Sequence, residues 1–300
     1  MKSIAVVSMF TLLCLFSGSG IARQIGTSYG FKAIYVVGDS FSDTGNLWFL
    51  TNGDTPRRHG NGKLYVDYLS AYYRLGEMVP SLLGGTDYAV SGAGVGPGWD
   101  FDWPGTSAIE QFETYLHNVK GQGDNRAFYI VQIGVNEFLN QILSGWDGTA
   151  AAEETASDLE TLLHRVALTP GVDHLWVMTA PDLSDSPIAG FLEQFFPGFS
   201  SKTATATRLY NAKLANIVAS LNVKDVGIID LFALEAKIKG NPVAYGITDI
   251  TTPCSGFLAP GGVTCSNPNE HFYWDHSHRT ERVQRFIAEL FLPAHAVLPQ

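Results

Sequence analysis

Short apolar runs alternate along this chain with longer stretches of helical periodicity, and that alternation leaves few architectures open. The runs lie at 33–37, 88–90, 128–133, 175–179 and 226–229. Between them, Leu159, Leu162, Leu163 and Val166 share one helical face, as do Tyr210, Leu214, Ile217, Val218 and Leu221. The last helix is marked by Val283, Phe286, Ile287, Leu290 and Phe291, spaced at i, i+3, i+4, i+7 and i+8. Strands that alternate with helices predict an α/β fold with a parallel sheet covered on both faces. Sites in such sheets form at the carboxyl ends of the strands, so the residues just after each run are where chemistry is expected.

The chain has 300 residues, 45% hydrophobic and 16% charged, which excludes a disordered or fibrous protein. It shows no repeat and no low-complexity linker. After Lys2, residues 4–16 are almost wholly apolar, and Gly20-Ile21-Ala22 fits a small-x-small cleavage site. This is the layout of a secretory signal peptide over residues 1–22, followed by a single domain over 23–300 and an extracellular location. The apolar run is shorter than the roughly 20 residues that span a bilayer, so no stable membrane anchor is expected. Cys14 leaves with the leader. Cys254 and Cys265 remain, and in an oxidising compartment they are expected to form a disulfide. The formal net charge of −10 disfavours nucleic acid and anionic membranes as partners. Nothing in the sequence sets the oligomeric state.

Four polar clusters follow apolar runs or precede the last helix. After Val36-Val37 comes Gly38-Asp39-Ser40-Phe41-Ser42-Asp43-Thr44-Gly45-Asn46. A glycine at the strand end allows a tight turn, and Ser40 would present its hydroxyl to a substrate; the tripeptide alone reads more readily as a capped turn, since all three residues are common in loops. Gly26-Thr27-Ser28-Tyr29-Gly30 matches a nucleophile elbow in letters, but it precedes a strand instead of following one, so it is set aside. Ser91-Gly92-Ala93-Gly94 follows the second run and Gly134-Val135-Asn136-Glu137 the third. The Gly92 N–H and the Asn136 amide are the kinds of donor an oxyanion hole requires. Near the end lies His271-Phe272-Tyr273-Trp274-Asp275-His276-Ser277-His278. The three-residue spacing of Asp275 and His278 lets a carboxylate orient an imidazole. His271, Asp275, His276 and His278 are also potential metal ligands, and Asp275 or Ser277 could simply cap the helix.

The order of these blocks resembles the SGNH/GDSL hydrolases. Gly38–Asn46 reads as that family's GDSxSDTGN form, and Asn61-Gly62-Lys63-Leu64-Tyr65-Val66-Asp67-Tyr68-Leu69, Tyr88-Ala89-Val90-Ser91-Gly92-Ala93 and Asn241-Pro242-Val243-Ala244-Tyr245-Gly246-Ile247-Thr248 match further stretches. The resemblance implies a three-layer α/β/α sandwich, flavodoxin-like, with a five-stranded parallel sheet. It implies Ser40 as nucleophile, His278 as base, and Asp275 as its orienting partner. The oxyanion hole would be the N–H groups of Ser40 and Gly92 with the Asn136 side chain. No metal or cofactor is implied. Two positions depart from the family pattern: Glu137 stands where Asp is usual, and Arg279 where Pro is usual.

The chemistry so implied is hydrolysis of a small-molecule or oligosaccharide ester through an acyl-enzyme. Competing readings are a lipase or phospholipase acting on longer acyl chains, a catalytically silent carbohydrate-binding protein on the same fold, and a metal-dependent hydrolase. Trp99 and Trp103, in a Gly/Trp-rich loop after Gly92, carry flat rings suited to sugar faces or to an acyl pocket, or else they are core. Together with the acidic charge and the absence of an obvious lid, they favour acetyl esters of carbohydrates, the chemistry of the secreted fungal acetyl esterases that the chain resembles.

Overall fold

The computed structural model describes residues 30–100, 103–256, 265–293 and 298. Residues 1–22, where a leader is expected, with Cys14, and the Ser28 segment lie outside them. Four parallel strands form one sheet in the order β1 (Ala33–Gly38), β2 (Ala127–Gln132), β3 (His174–Met178) and β4 (Asp225–Ile229). The helices among the described residues are α1 (Asn46–Leu50), α2 (Tyr65–Tyr72), α3 (Ala108–Asn118), α4 (Val135–Leu143), α5 (Gly148–Ala167), α6 (Pro187–Leu192), α7 (Phe199–Ser220), α8 (Leu231–Gly240) and α9 (Glu281–Glu289).

The expected fifth strand is a hydrogen-bonded edge segment and not a regular strand. Residues 86–90 run parallel to β1, with Val36 N–H donating to Thr86 O and the Tyr88 and Val90 N–H groups donating to Val36 O and Gly38 O. On the outer side, the carbonyls of Asp87 and Ala89 each accept from the Asn46 side-chain amide at 2.8 Å. Residues 79–81 bond the same outer edge, with Asp87 N donating to Val79 O and Ser81 N to Asp87 O, so that amide and this short bridge together end the ladder. Counting this segment, the order is second-first-third-fourth-fifth in chain sequence. The switch point of such a sheet lies between β1 and β2.

Alternation along the strands fills two cores. Val37, Tyr129, Val131, Leu175 and Val177 face the layer of α3, α4, α5 and α7. Ile34, Val36, Phe128, Ile130, Trp176, Met178 and Ile229 face the layer of α2, α8 and α9. The result is an α/β/α sandwich. The apolar faces of α5 and α7 are buried as their periodicity requires. α9 stops at Glu289, so Leu290 and Phe291 lie in the turn beyond it; Phe291 is buried and Leu290 is exposed.

Candidate active site

The loop after β1 is held by its own polar side chains. Asp43 Oδ1 accepts from Gly45 N and Asn46 N, at 2.7 and 2.6 Å. Its Oδ2 accepts from Leu47 N and from both Ser91 N and Ser91 Oγ. One carboxylate therefore caps α1 and ties the Ser40 loop to the Gly92 loop. Ser42 Oγ contacts Tyr65 Oη and Gln132 Oε1, and Thr44 bonds Asp87 Oδ2 through N–H and hydroxyl. The long polar motif is the scaffold that fixes Ser40.

Gly92 adopts φ 84°, in the left-handed region that glycine enters without strain. Gly134, at the N-terminus of α4, has φ 123°, and a Cβ there would lie 2.5 Å from the Tyr210 ring. It lets α4 start immediately after β2 and puts Asn136 in the first turn. Asn136 Nδ2 donates to Ala93 O at 3.1 Å, which orients the amide and leaves its second N–H for the cavity. The N–H groups of Ser40 and Gly92 have no acceptor among the described residues. The three residues that carry these donors line the same cavity.

Asp275 and His278 lie in a turn before α9, not in its first turn. The turn is closed by an antiparallel bridge between Tyr273 and Arg279 and by Trp274 N donating to His278 O at 2.8 Å. Asp275 Oδ1 accepts from Ser277 N and His278 N, and the His278 Nδ1 lies 2.9 and 2.8 Å from the two carboxylate oxygens. His278 Nε2 is 2.7 Å from Ser40 Oγ. Burial alone would raise the Asp275 pKa, but the charge of His278, its hydrogen bond and His276 hold the carboxyl well below the usual carboxylate range. A permanent carboxylate, an imidazole and a hydroxyl in line can move a proton off Ser40.

The two departures from the family pattern have partners. Glu137 Oε2 accepts from Val95 N and Gly96 N, both at 2.8 Å, so its length spans from α4 to the loop beyond Gly92. Arg279 pairs with Glu235 on α8 through two bonds, at 2.6 and 2.7 Å. Its Nη1 donates to Ser277 O. A disulfide joins Cys254 and Cys265, and Cys254 N and Ser255 N donate to Tyr273 O and Trp274 O, so these two residues back the same turn.

Ser40, Gly92, Asn136, Asp275 and His278 all line one cavity of about 720 Å³. Trp103 lines it too and is 41% exposed. Trp99 does not; it packs edge-on against Trp146, with ring centroids 5.6 Å apart. Trp274 and His59, which sequence reasoning did not single out, also line it. The His59 ring lies against that of His278, with centroids 4.5 Å apart. No spacing rule could find it, because its neighbour comes from the far end of the chain. The earlier metal grouping is not assembled: among the described residues His59, Asp275 and His278 cluster, without His271 or His276.

Residues 34–291 match the sequence profile of the GDSL-like Lipase/Acylhydrolase family. The chain belongs to this family. It is a serine-type carboxylic ester hydrolase. GDSL esterase/lipase 6 of Arabidopsis thaliana is 24% identical over 336 residues, covering 94% of this chain and 91% of the relative. The anther-specific proline-rich protein APG of Brassica napus is 24% identical over 312 residues, covering 83% and 69%. Among solved structures, the acetylxylan esterase Axe2 of Geobacillus stearothermophilus aligns at 14% identity over 87% of this chain and 92% of that one, with a TM-score of 0.45.

Proposed function

We propose that this GDSL hydrolase is secreted, loses residues 1–22, and as one catalytic domain cleaves carboxylic esters through an acyl-enzyme on Ser40. The observation that carries this reading is the Ser40–His278–Asp275 chain, with contacts of 2.7 and 2.8 Å. Ser40 attacks the ester carbonyl while His278 takes its proton. The N–H groups of Ser40 and Gly92 and the Asn136 amide stabilise the oxyanion. The alcohol leaves with the proton from His278, and water repeats the cycle on the acyl-enzyme. Asp275 fixes the tautomer and offsets the imidazolium charge. Secretion is supported by the leader composition; no helix of the described residues is long and apolar enough to cross a membrane.

For the substrate, the acidic surface and the Trp103 ring at the cavity favour short acyl groups, acetyl first, on a sugar-like alcohol. One observation favours a second reading. The cavity has an apolar wall of Val135, Leu139, Leu143, Ile188, Leu192 and Phe199, more than an acetyl group would cover. A p-nitrophenyl series from acetate to palmitate, run beside an acetylated xylo-oligosaccharide, separates the two. Acetate leading, with the sugar ester cleaved, supports the first. A kcat/KM that rises to eight carbons or beyond, with the sugar ester untouched, replaces it with a lipase. In the first case Trp103→Ala weakens cleavage of the sugar ester more than of the chromogenic one, whereas Trp99→Ala treats both alike.

A further inference from the structure

His59 belongs to none of the motifs, yet the fold holds it firmly. Arg58 beside it makes a two-bond pair with Asp67, at 2.8 and 2.7 Å. Two residues on, Asn61 Oδ1 accepts from Glu281 N at 2.7 Å, and Asn61 Nδ2 donates to Asn269 Oδ1 at 2.9 Å. The loop between α1 and α2 is therefore anchored on both sides of His59, to α2 through Arg58 and to the segments flanking the Asp275–His278 turn through Asn61. The His59 Nε2 is buried and has no hydrogen-bond partner among the described residues. Buried ring nitrogens are normally satisfied, so an unpartnered one points to a ligand.

One ligand atom from each of His59, Asp275 and His278 lies within 4.8 Å of the others. Around a tetrahedral zinc, with ligands at about 2.0–2.1 Å, such atoms stand roughly 3.4 Å apart. Zinc binding would therefore require His59 and His278 to turn about their side-chain torsions, His278 giving up a contact with Ser40 or Asp275. Two imidazoles and a carboxylate are a set that zinc takes with water in the fourth position. The carboxylate also supplies the negative charge that draws in a divalent ion.

We propose that His59, His278 and Asp275 form a zinc-binding site whose occupation switches the esterase off. The proposal rests on His278 being the general base. A neutral imidazole has one nitrogen lone pair available to a metal or a proton. Zinc on His278 Nε2 uses the pair that accepts the Ser40 proton. Zinc on Nδ1 moves the ring proton to Nε2, with the same consequence, and breaks the bond to Asp275. No covalent change is needed, and removal of the metal restores the base. His59 decides the matter, because without it the remaining two ligands already engage each other.

The test uses the whole mature chain and zinc chloride in a non-chelating buffer, with magnesium chloride as the control. Zinc is expected to lower kcat on p-nitrophenyl acetate at least about tenfold at a concentration where magnesium has no effect, with EDTA restoring the rate. H59F keeps a ring against His278 but removes both nitrogens, and H59Q keeps a neutral polar side chain. Each is expected to need at least about tenfold more zinc for half inhibition, relative to its own uninhibited rate. Binding is measured separately by equilibrium dialysis: one zinc per wild-type chain, and markedly weaker retention by H59F and H59Q. The inactive S40A chain is expected to bind zinc as the wild type does, so a fault in the nucleophile assignment shows up apart from a fault in the site. Equal zinc sensitivity in wild type and both His59 variants, activation by zinc, or no zinc bound by wild type and S40A overturns the proposal.

Discussion

Arg279 and Glu235 form a buried two-bond ion pair beneath the Asp275–His278 turn, with side chains 0% and 1% exposed. The guanidinium also stacks near the rings of Phe272 and Tyr273, at 4.8 and 4.9 Å, and bonds the carbonyl of Ser277. Removing one partner leaves an uncompensated buried charge, which costs about 3–5 kcal/mol. R279A is therefore expected to lower the urea midpoint strongly, and the double variant R279M/E235L to recover most of that loss. If the double variant is no more stable than R279A, the pair does not act through charge compensation. R279A should also lower kcat, since the Ser277 carbonyl loses its donor.

The second expectation concerns the proton chain. S40A and H278A are each expected to reduce ester turnover by on the order of 10⁴- to 10⁶-fold, and the double variant by about the same amount, because the groups act as one unit. Losses that multiply in the double variant would show that Ser40 and His278 act independently.

Asn136 is held by Ala93 O, so its amide is already oriented before substrate arrives. N136A is expected to lower kcat by roughly 100- to 1,000-fold with little change in KM, since the donor acts mainly on the developing oxyanion. An effect confined to KM would make Asn136 a substrate-holding group instead.

Glu137 sets a pH dependence of stability. Burial pushes its carboxyl up to about 8, against the pull of the Gly96 N–H, with Asp158 adding to the rise; its ordinary value is 4.5. Between those values the folded chain holds a proton that the unfolded chain has lost. The contribution is fully present below 4.5 and is lost as the pH rises through 8. From about pH 5 to about pH 8 the wild type should lose on the order of 3 kcal/mol that E137Q does not. Parallel urea titrations at the two pH values check this, and identical slopes would refute it. E137D should be poorly tolerated. Its shorter side chain withdraws from Val95 N and Gly96 N, which the longer carboxylate reaches at 2.8 Å.

What the sequence by itself determined was local in origin. Strand and helix periodicity placed β1 to β4 and the buried faces of α5 and α7, because burial on one side of a regular element writes its period into the chain. Position after a strand or before the last helix only pointed to four polar blocks; Ser40, Gly92, Asn136, Asp275 and His278 were picked out by the resemblance of those blocks, in order and letters, to the SGNH/GDSL hydrolases. Tertiary structure decided everything that depends on residues meeting from distant segments. The Asn46 amide and residues 79–81 bond the outer edge of residues 86–90, which remains an edge segment. Glu235 made room for a buried arginine at 279, and Val95 and Gly96 gave Glu137 its acceptor role. His59 came to rest on His278 only because the loop before α2 is pinned to α9 through Asn61 and Glu281. Such contacts have no period and no fixed spacing, so a single sequence does not display them; they exist once the layers pack and buried polar groups must find partners.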